Sequence, residues 1–214
     1  MLNSLIMATN PSLTLALLET TRGFANTTTF TSGTVVAPSD GLIIAVLLCR
    51  GADGGRSISS ATVMGSAANV YGPANSGTSY VAGGIATREV TSGSSGTVSI
   101  VLDASGGSVP TYCIAIYHLA GNKSAAPVLV TNITQTVNSS SIPLVMNNTR
   151  DTLGLYIAYT NSNVGHSWSS ATENYDAYST HRYSHASKLG GTKPHTETAY
   201  ASDSNFYAFG TLWR

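Results

Sequence analysis

Hydrophobic residues along this chain recur in short segments with the patterns of β-strands. Leucines alternate with polar or small residues in residues 13–17, and residues 41–49 form a short continuous apolar run. β-Branched and aromatic residues, which favour strands, dominate residues 97–102, 112–119 and 153–159. Weaker strand candidates are residues 34–37, 61–64, 80–90, 128–134, 182–186 and 205–212.

Turn-forming residues separate these segments at short intervals. Clusters rich in Gly, Pro, Ser, Asn and Asp lie, for example, at residues 51–55, 72–77 and 103–107. No stretch of helical length keeps an apolar face at the helical period. About ten short strands punctuated in this way predict an all-β protein with little helix, an antiparallel two-sheet sandwich that is jelly-roll-like.

The strand pattern also predicts the domain organisation. We expect residues 1–20 to form an N-terminal arm or first strand and residues 21–214 to form a single β-sandwich domain. The three most apolar segments, residues 41–49, 112–119 and 153–159, are predicted to lie at the centre of the two sheets, facing one another. Their unequal spacing predicts no tandem repeat.

Charge is scarce in this chain. Only 20 of 214 residues are charged, and the ten acidic and ten basic residues cancel, whereas ordinary soluble domains carry about 25% charged residues. Ser, Thr, Asn and Gly replace them, so we expect a polar, uncharged surface that is easily desolvated. The composition favours a subunit that packs against copies of itself or a larger assembly. The scattered Lys and Arg residues argue against nucleic-acid binding.

The apolar segments are too short to cross a membrane. The longest run, residues 42–49, falls far below the roughly 20 residues of a transmembrane helix, so we expect no membrane partner. The apolar N-terminus lacks an early basic residue, which argues against a secretion signal and favours an arm that reaches a neighbouring subunit. The interface candidates in this arm are Leu2, Leu5 and Ile6.

Candidate catalytic and metal-binding residues are few. On a strand, His181 and His185 would lie about 13 Å apart, too far to ligate one ion together. Glu173 and Asp176 are three residues apart, which on a regular strand places them on opposite faces. We therefore expect no enzymatic activity, metal or cofactor. Folding in a reducing cytosol would leave Cys49 and Cys113 as buried thiols.

Aromatic residues concentrate in the last third of the chain. Phe206, Phe209 and Trp213 are predicted to close the core. Exposed aromatic side chains with neighbouring amides would instead suit a protein interface or a sugar. The candidates for such an interface or ligand site are Trp168, Tyr175, Tyr178 and Tyr183.

Two stretches resemble virion proteins of tailed bacteriophages and prophages. In residues 96–121, a Thr-Val-Ser-Ile-Val strand is followed by a turn and a Tyr-Cys-Ile-Ala-Ile-Tyr-His-Leu-Ala-Gly strand. Residues 166–189, with Trp168, Tyr175-Asp176 and then Tyr-Ser-His-Ala-Ser from Tyr183, are similar to the later part of the same type. The resemblance implies a β-sandwich without enzymatic activity, placed on the capsid exterior or in tail and fibre structures.

This resemblance and the low charge together give a functional expectation. We expect a capsid decoration or cement subunit, made in the host cytoplasm, that binds and stabilises neighbouring major capsid proteins on the capsid exterior. Copies of the chain itself are further expected partners, with a trimer as one arrangement. The alternative is a tail or fibre module for host recognition or carbohydrate binding that uses Trp168, Tyr175 and Tyr183.

Overall fold

The computed structural model describes residues 12–24, 27–50, 57–72, 81–103, 111–131, 134–137, 140–146, 151–178, 181–190, 195–202 and 205–214. These residues contain eighteen strands and no helix, so none of them belongs to a helix able to cross a membrane. The strands are β1 Thr14–Gly23, β2 Thr29–Val36, β3 Gly41–Arg50, β4 Ile58–Val63, β5 Ser66–Ala67, β6 Asn69–Tyr71, β7 Val81–Val90, β8 Ser95–Leu102, β9 Thr111–Ala120, β10 Leu129–Val130, β11 Thr134–Val137, β12 Ser141–Met146, β13 Leu153–Thr160, β14 Ser167–Trp168, β15 Thr172–Tyr178, β16 Arg182–Leu189, β17 His195–Tyr200 and β18 Asn205–Trp213.

The described strands pair in an antiparallel manner and form four sheets. Outer sheet 1 has the order β2-β8-β4-β5, and inner sheet 1 the order β1-β9-β3-β7-β6. Inner sheet 2 has the order β10-β18-β13-β16-β15, with β11 also paired to β18, and outer sheet 2 the order β12-β17-β14. The all-β antiparallel sandwich is therefore confirmed, although it is built from four sheets where the sequence predicted two.

Three hydrophobic cores hold the four sheets in one stack. A first core, around Leu47 and Val98, lies between outer sheet 1 and inner sheet 1. A central core, around Val46 and Ile157, lies between the two inner sheets. A second core, around Tyr156, lies between inner sheet 2 and outer sheet 2. The order through the stack is thus outer 1, inner 1, inner 2, outer 2.

The continuous apolar run in β3 follows from this stacking. Every side chain from Leu42 to Cys49 is at most 1% exposed, with alternate residues in the first and the central core. A strand buried on both faces needs apolar residues at successive positions. β3 and β13 face each other across the central core as predicted, but β9 lies beside β3 in the same sheet and does not face it.

The second half of the chain repeats the topology of the first. The same strand pairings occur in both halves. The equivalent strands, in chain order, are β1 and β10–β11, β2 and β12, β3 and β13, β4 and β14, β6 and β15, β7 and β16, β8 and β17, and β9 and β18. The prediction of no repeat rested on the unequal spacing of β3, β9 and β13. Of these strands, β3 and β13 are equivalent, whereas the equivalent of β9 is β18. Unequal connections between these strands hid the correspondence.

The two halves meet in a reciprocal manner across the central core. β9 of the first half contacts β16 of the second, where the Tyr183 hydroxyl donates to Thr111 Oγ1 over 3.2 Å. β7 contacts β18, where a Cβ added at Gly83 would lie 3.3 Å from the Phe209 ring. Exchanging the halves converts one contact into the other, as in a twofold-related pair of subunits.

The N-terminal segment joins inner sheet 1 as an edge strand. β1 pairs with β9, with a bulge between Leu17 and Glu19, and Leu13, Leu15 and Leu17 pack against the central core. The alternating leucines thus bury one side of the strand. The arm candidates Leu2, Leu5 and Ile6 lie outside the described residues.

Candidate functional site

The outward face of outer sheet 1 is lined by hydroxyl groups. Thr31 of β2 lies opposite Ser99 of β8, and Ser99 lies opposite Thr62 of β4. The Thr31 hydroxyl donates to Ser99 Oγ over 3.3 Å. Because the intervening residues of these strands fill the first core, the period of two leaves short polar side chains outside. Further outward residues are Thr29, Thr34, Ser60, Thr97 and Val101.

The outward face of outer sheet 2 is also uncharged, but it is more apolar. Val145 of β12 lies opposite Thr196 of β17, and Pro143 lies opposite Thr198. Tyr200 lies at the end of β17 and is exposed. The inward residues of the same strands, such as Ile142 and Ala199, belong to the second core. The outward strand residues at both ends of the stack therefore include no Asp, Glu, Lys or Arg.

The strands of the two outer sheets contain one residue of the types Asp, Glu, Lys and Arg, and its side chain points inward. This residue is Glu197 of β17, whose side chain is fully buried. Its Oε1 accepts hydrogen bonds from Ser169 Oγ at 2.9 Å, Ser170 N at 2.8 Å and Ala171 N at 3.1 Å, and its Oε2 accepts one from Ser170 Oγ at 2.8 Å. Four donors thus satisfy the buried carboxylate. Neither outward face carries a charged strand residue.

One edge strand of each outer sheet, β2 or β12, has a feature that opposes uncontrolled strand addition. In β2, a bulge between Thr31 and Thr34 is held by Glu19, whose Oε1 accepts a hydrogen bond from Gly33 N at 2.8 Å. In β12, Pro143 has no N–H to donate to another strand. Bulges, charges and prolines are common protections of sheet edges. These edges favour contacts through the sheet faces over contacts through strand pairing.

The four aromatic candidates do not form one surface. Tyr183 is 1% exposed in the central core, so its ring is not available to a partner. Tyr175 packs against the same core, and the Arg22 guanidinium lies 5.8 Å from its ring centroid. Trp168 packs against the second core and donates its indole N–H to Ser184 Oγ over 3.0 Å. Tyr178, at the end of edge strand β15, is 41% exposed.

Glu173 and Asp176 lie on the same face of β15, so the prediction that they lie on opposite faces was wrong. A bulge between Glu173 and Tyr175 shifts the register, and the two carboxylates lie opposite Ala186 and Ser184, which share a face of β16. Ser184 Oγ donates to Glu173 Oε2 over 3.3 Å. An extra residue in one strand reverses the alternation on which the prediction depended.

The two carboxylates have different electrostatic environments. Arg182 donates to both oxygens of Asp176, through Nε at 2.6 Å and Nη2 at 2.5 Å, and His166 Nδ1 lies 3.7 Å away. Partial burial acts to raise the pKa of Asp176, but His166 and Arg182 outweigh it and lower that pKa to about 2. Partial burial and the negative charge of Asp176 raise the pKa of Glu173. The bidentate ion pair between Asp176 and Arg182 links β15 to β16.

The described residues contain no group of three or more His, Cys, Asp and Glu side chains arranged to hold a metal ion. Cys49 and Cys113 are both free thiols. They lie on neighbouring strands, but Cys49 belongs to the first core and Cys113 to the central core, so their side chains point to opposite faces of inner sheet 1. Burial raises the pKa of Cys113 to about 12, which disfavours its reactive thiolate form.

A shallow depression of about 530 Å³ lies where turns meet at one end of inner sheet 1. Its charged side chains include Asp40 and Arg88. Asp40 Oδ1 accepts a hydrogen bond from Ser92 N at 2.8 Å, and Arg88 Nη1 donates to the Val63 carbonyl at 2.7 Å. Both groups are therefore engaged with the backbone of the same molecule.

Comparison with known proteins gives no relative for this chain. No protein-family model, curated protein or solved structure matches it. Its function must therefore be inferred from its own surfaces, which include the two outward faces.

Proposed function

We propose that this chain is a structural subunit of a phage virion, of the capsid decoration or cement type, that binds neighbouring major capsid proteins through its outward sheet faces. One observation carries the proposal: the strands of both outer sheets present no charged side chain to the outside. Burying an unpaired charge in a contact costs several kcal/mol, whereas a hydroxyl group can form a hydrogen bond to a neutral partner across the contact and a methyl group is stabilised by burial.

Two further features support a role in an assembly on the capsid exterior. One edge of each outer sheet, β2 or β12, is protected by a bulge or a proline, which limits open-ended association through that edge before assembly. The sequence resemblance to tailed-phage virion proteins, in residues 96–121 and 166–189, agrees with this placement. Symmetric particles also bring copies of a subunit together, so self-contacts, including a trimer, form part of the proposal.

The proposal is tested by placing charge on one outward face. We expect Thr31→Glu combined with Thr62→Glu to reduce binding at least tenfold, because a contact would bury two unpaired carboxylates. The measurement is co-sedimentation with particles of the encoding phage that lack this protein. Ser92→Glu, in an exposed turn, is the matched control and should bind like the unmodified chain.

The same particles give a second readout. Those loaded with the unmodified chain should resist heat and osmotic shock better than bare particles, and those offered the double variant should not. Equal particle stability with and without the chain would count against a cement role. Equal binding of the double variant would move the contact to outer sheet 2, where Val145→Glu with Thr196→Glu is the corresponding pair.

A tail or fibre module that binds carbohydrate remains the second proposal. The observation that favours it is the edge strand β15, which exposes the Tyr178 ring at one end and the polar side chains of Thr172, Glu173 and Asn174 at the other. An exposed aromatic ring can stack on a sugar, and carboxylate and amide groups along the same strand can bind its hydroxyl groups. Loss of glycan-array or cell-adsorption signal in Tyr178→Ala, with normal particle stabilisation, would favour this function over the first.

A further inference from the structure

The contact between the two inner sheets contains polar side chains within an apolar core. His181, Tyr183 and His185 alternate along the chain at β16, so they share the side that faces inner sheet 1. His185 is fully buried, and its ring lies 6.2 Å, centroid to centroid, from the ring of Tyr117 on β9. Tyr175 approaches the same imidazole edge-on at 5.8 Å.

Some polar groups in this contact lack hydrogen-bond partners. Both ring nitrogens of His185 and the hydroxyl of Tyr117 are buried without one. Such groups are rare in folded proteins, because each loses its hydration without compensation. Burial, with a smaller contribution from His166, lowers the pKa of His185 to about 3. The imidazole is therefore neutral at pH 7 in the folded chain.

The other half of the molecule shows what the fold itself requires at this position. His185 pairs with Ile157 and Tyr175, and Ile85 holds the equivalent place, between Val46 and Tyr71. Ile85 is fully buried in the same central core. Since an aliphatic side chain serves this position in the first half, the topology does not require an imidazole in the second.

A second histidine at the same contact also acts in its neutral form. Arg50, the last residue of β3, donates from Nη1 to Nε2 of His181 over 2.9 Å. A protonated imidazole cannot accept this hydrogen bond and would repel the guanidinium. Burial, followed by the charge of Arg50, lowers the pKa of His181.

We propose that His185 makes the contact between the two inner sheets an acid-sensitive joint, in which protonation of the imidazole loosens the packing of the two halves, with His181 adding to the effect. Among the residues that the structure describes, the titratable and charged groups around His185 are Tyr117 and Cys113 of β9, Tyr175 of β15, Tyr183 of β16, Arg22 of β1, and His166. None of these groups is a carboxylate that could pair with an imidazolium. The joint does not depend on the proposed virion role.

The direction of the pH effect follows from the two states. The unfolded chain binds a proton at His185 near pH 6.5, whereas the folded chain resists protonation until about pH 3. The stability contributed by the neutral histidine is therefore fully present above pH 6.5 and is lost progressively as the pH falls below that value. Between pH 7.5 and pH 4.5 we expect the urea midpoint to fall by about 1 M on account of His185.

The experiment compares urea midpoints at pH 7.5 and pH 4.5 for the unmodified chain, His185→Ile and His118→Gln. His185→Ile copies the residue of the first half and should lose most of the pH-dependent fall. His118 lies on the opposite face of β9, where its Nε2 is 2.9 Å from the Ser39 carbonyl oxygen. His118→Gln should therefore keep the fall.

A fluorescent probe of apolar surface measures the loosening itself. At pH 3, where the folded chain begins to protonate His185, and without urea, we expect the dye ANS to bind the unmodified chain several-fold more strongly than His185→Ile. His185→Gln, which does not titrate, serves as a second variant if His185→Ile fails to fold. The same pH-dependent fall in the unmodified chain and in both His185 variants would overturn the proposal, as would its loss in His118→Gln.

Discussion

At the scale of single residues, this chain keeps its few charges away from the outward faces by satisfying them locally. Glu197 points into the second core, where hydroxyl and amide groups of residues 169–171 donate to it. Glu19 likewise accepts hydrogen bonds from Gly33 N and from the Thr21 hydroxyl. Each carboxylate thus fixes a local bend of the backbone. The outer surface stays neutral because these ionic groups face the protein.

Glu197 is expected to be a large single contributor to stability. Glu197→Ala should lower the free energy of unfolding by about 2–4 kcal/mol, because the N–H groups of Ser170 and Ala171 lose their acceptor and a cavity replaces the buried side chain. Urea denaturation at pH 7 measures the loss. Glu197→Gln keeps one acceptor oxygen and should lose less. A change below about 0.5 kcal/mol in Glu197→Ala would contradict this account.

The cysteines should be inert as long as the chain is folded. Cys49 and Cys113 are both buried, and burial raises the pKa of Cys113 to about 12. The thiolate is the reactive form, so we expect no reaction with Ellman's reagent in buffer at pH 8 and two reactive thiols per chain in urea. Rapid modification of the folded chain would contradict the burial of these thiols.

Several residue placements could be predicted from the sequence. Phe206, Phe209 and Trp213 were predicted in the core, and all three are fully buried. Tyr183 lies among Ser and His residues, which suggested a surface position. Its side chain instead points into the central core, whereas that of Ser184 is on the opposite face of β16. Neutral surroundings in the sequence do not distinguish an inner strand from an outer one in a chain with so few charges.

At the scale of elements, a single bulge in β15 determines the chemistry of the second half's edge. The bulge between Glu173 and Tyr175 brings Glu173 to the face of Asp176 and leaves Tyr175 on the central-core side. Arg182, the first residue of β16, then pairs with Asp176. A bulge occupies one residue and has no fixed sequence signal, so the pattern alone could not reveal it.

The Asp176–Arg182 pair should make the β15–β16 hairpin sensitive to strong acid. The folded pKa of Asp176 is about 2, below its ordinary value of 3.8. Its contribution to stability is therefore present above about pH 4 and is lost as the pH falls toward 2. Asp176→Asn should lower the thermal midpoint at pH 7 and flatten its fall between pH 4 and pH 2. Asp151→Asn, in an exposed turn, should do neither.

The strands found from the sequence are mainly those of the two inner sheets. β3, β9 and β13 are buried on both faces, so their apolar runs are continuous and easily recognised. β15 and β17 are polar edge or outer strands and were missed. The alternation of Ile142, Leu144 and Met146 was a usable signal for β12, although a proline such as Pro143 is found in sheets mainly on edge strands and so weakens a strand signal.

At the scale of the whole molecule, the central core couples two sandwiches of the same topology. Each inner sheet belongs to two cores at once, so unfolding either half would expose the central core of the other. The sequence did not predict this repeat, because equivalent strands share burial but not residue type. Ile85 and His185 are an example of such an equivalent pair.

The two halves are therefore expected to unfold together at neutral pH. Ile157→Ala, in the central core, should lower the free energy of unfolding by about 2–5 kcal/mol while keeping a single transition. Tryptophan fluorescence reports Trp168 and Trp213 in the second half, whereas far-UV circular dichroism reports strands of both halves. Coincident curves are expected. Two separated transitions would indicate independent sandwiches.

The four-layer stack holds the two outward faces at a fixed separation. Packed sheets lie about 10 Å apart, so three intervals separate the backbones of the outer sheets by about 30 Å. The ends differ, since one offers hydroxyl groups and the other valine, proline and tyrosine. Under the proposed function, a chain of this shape would bridge two unlike neighbours, and binding at one end would raise the effective concentration of the other neighbour.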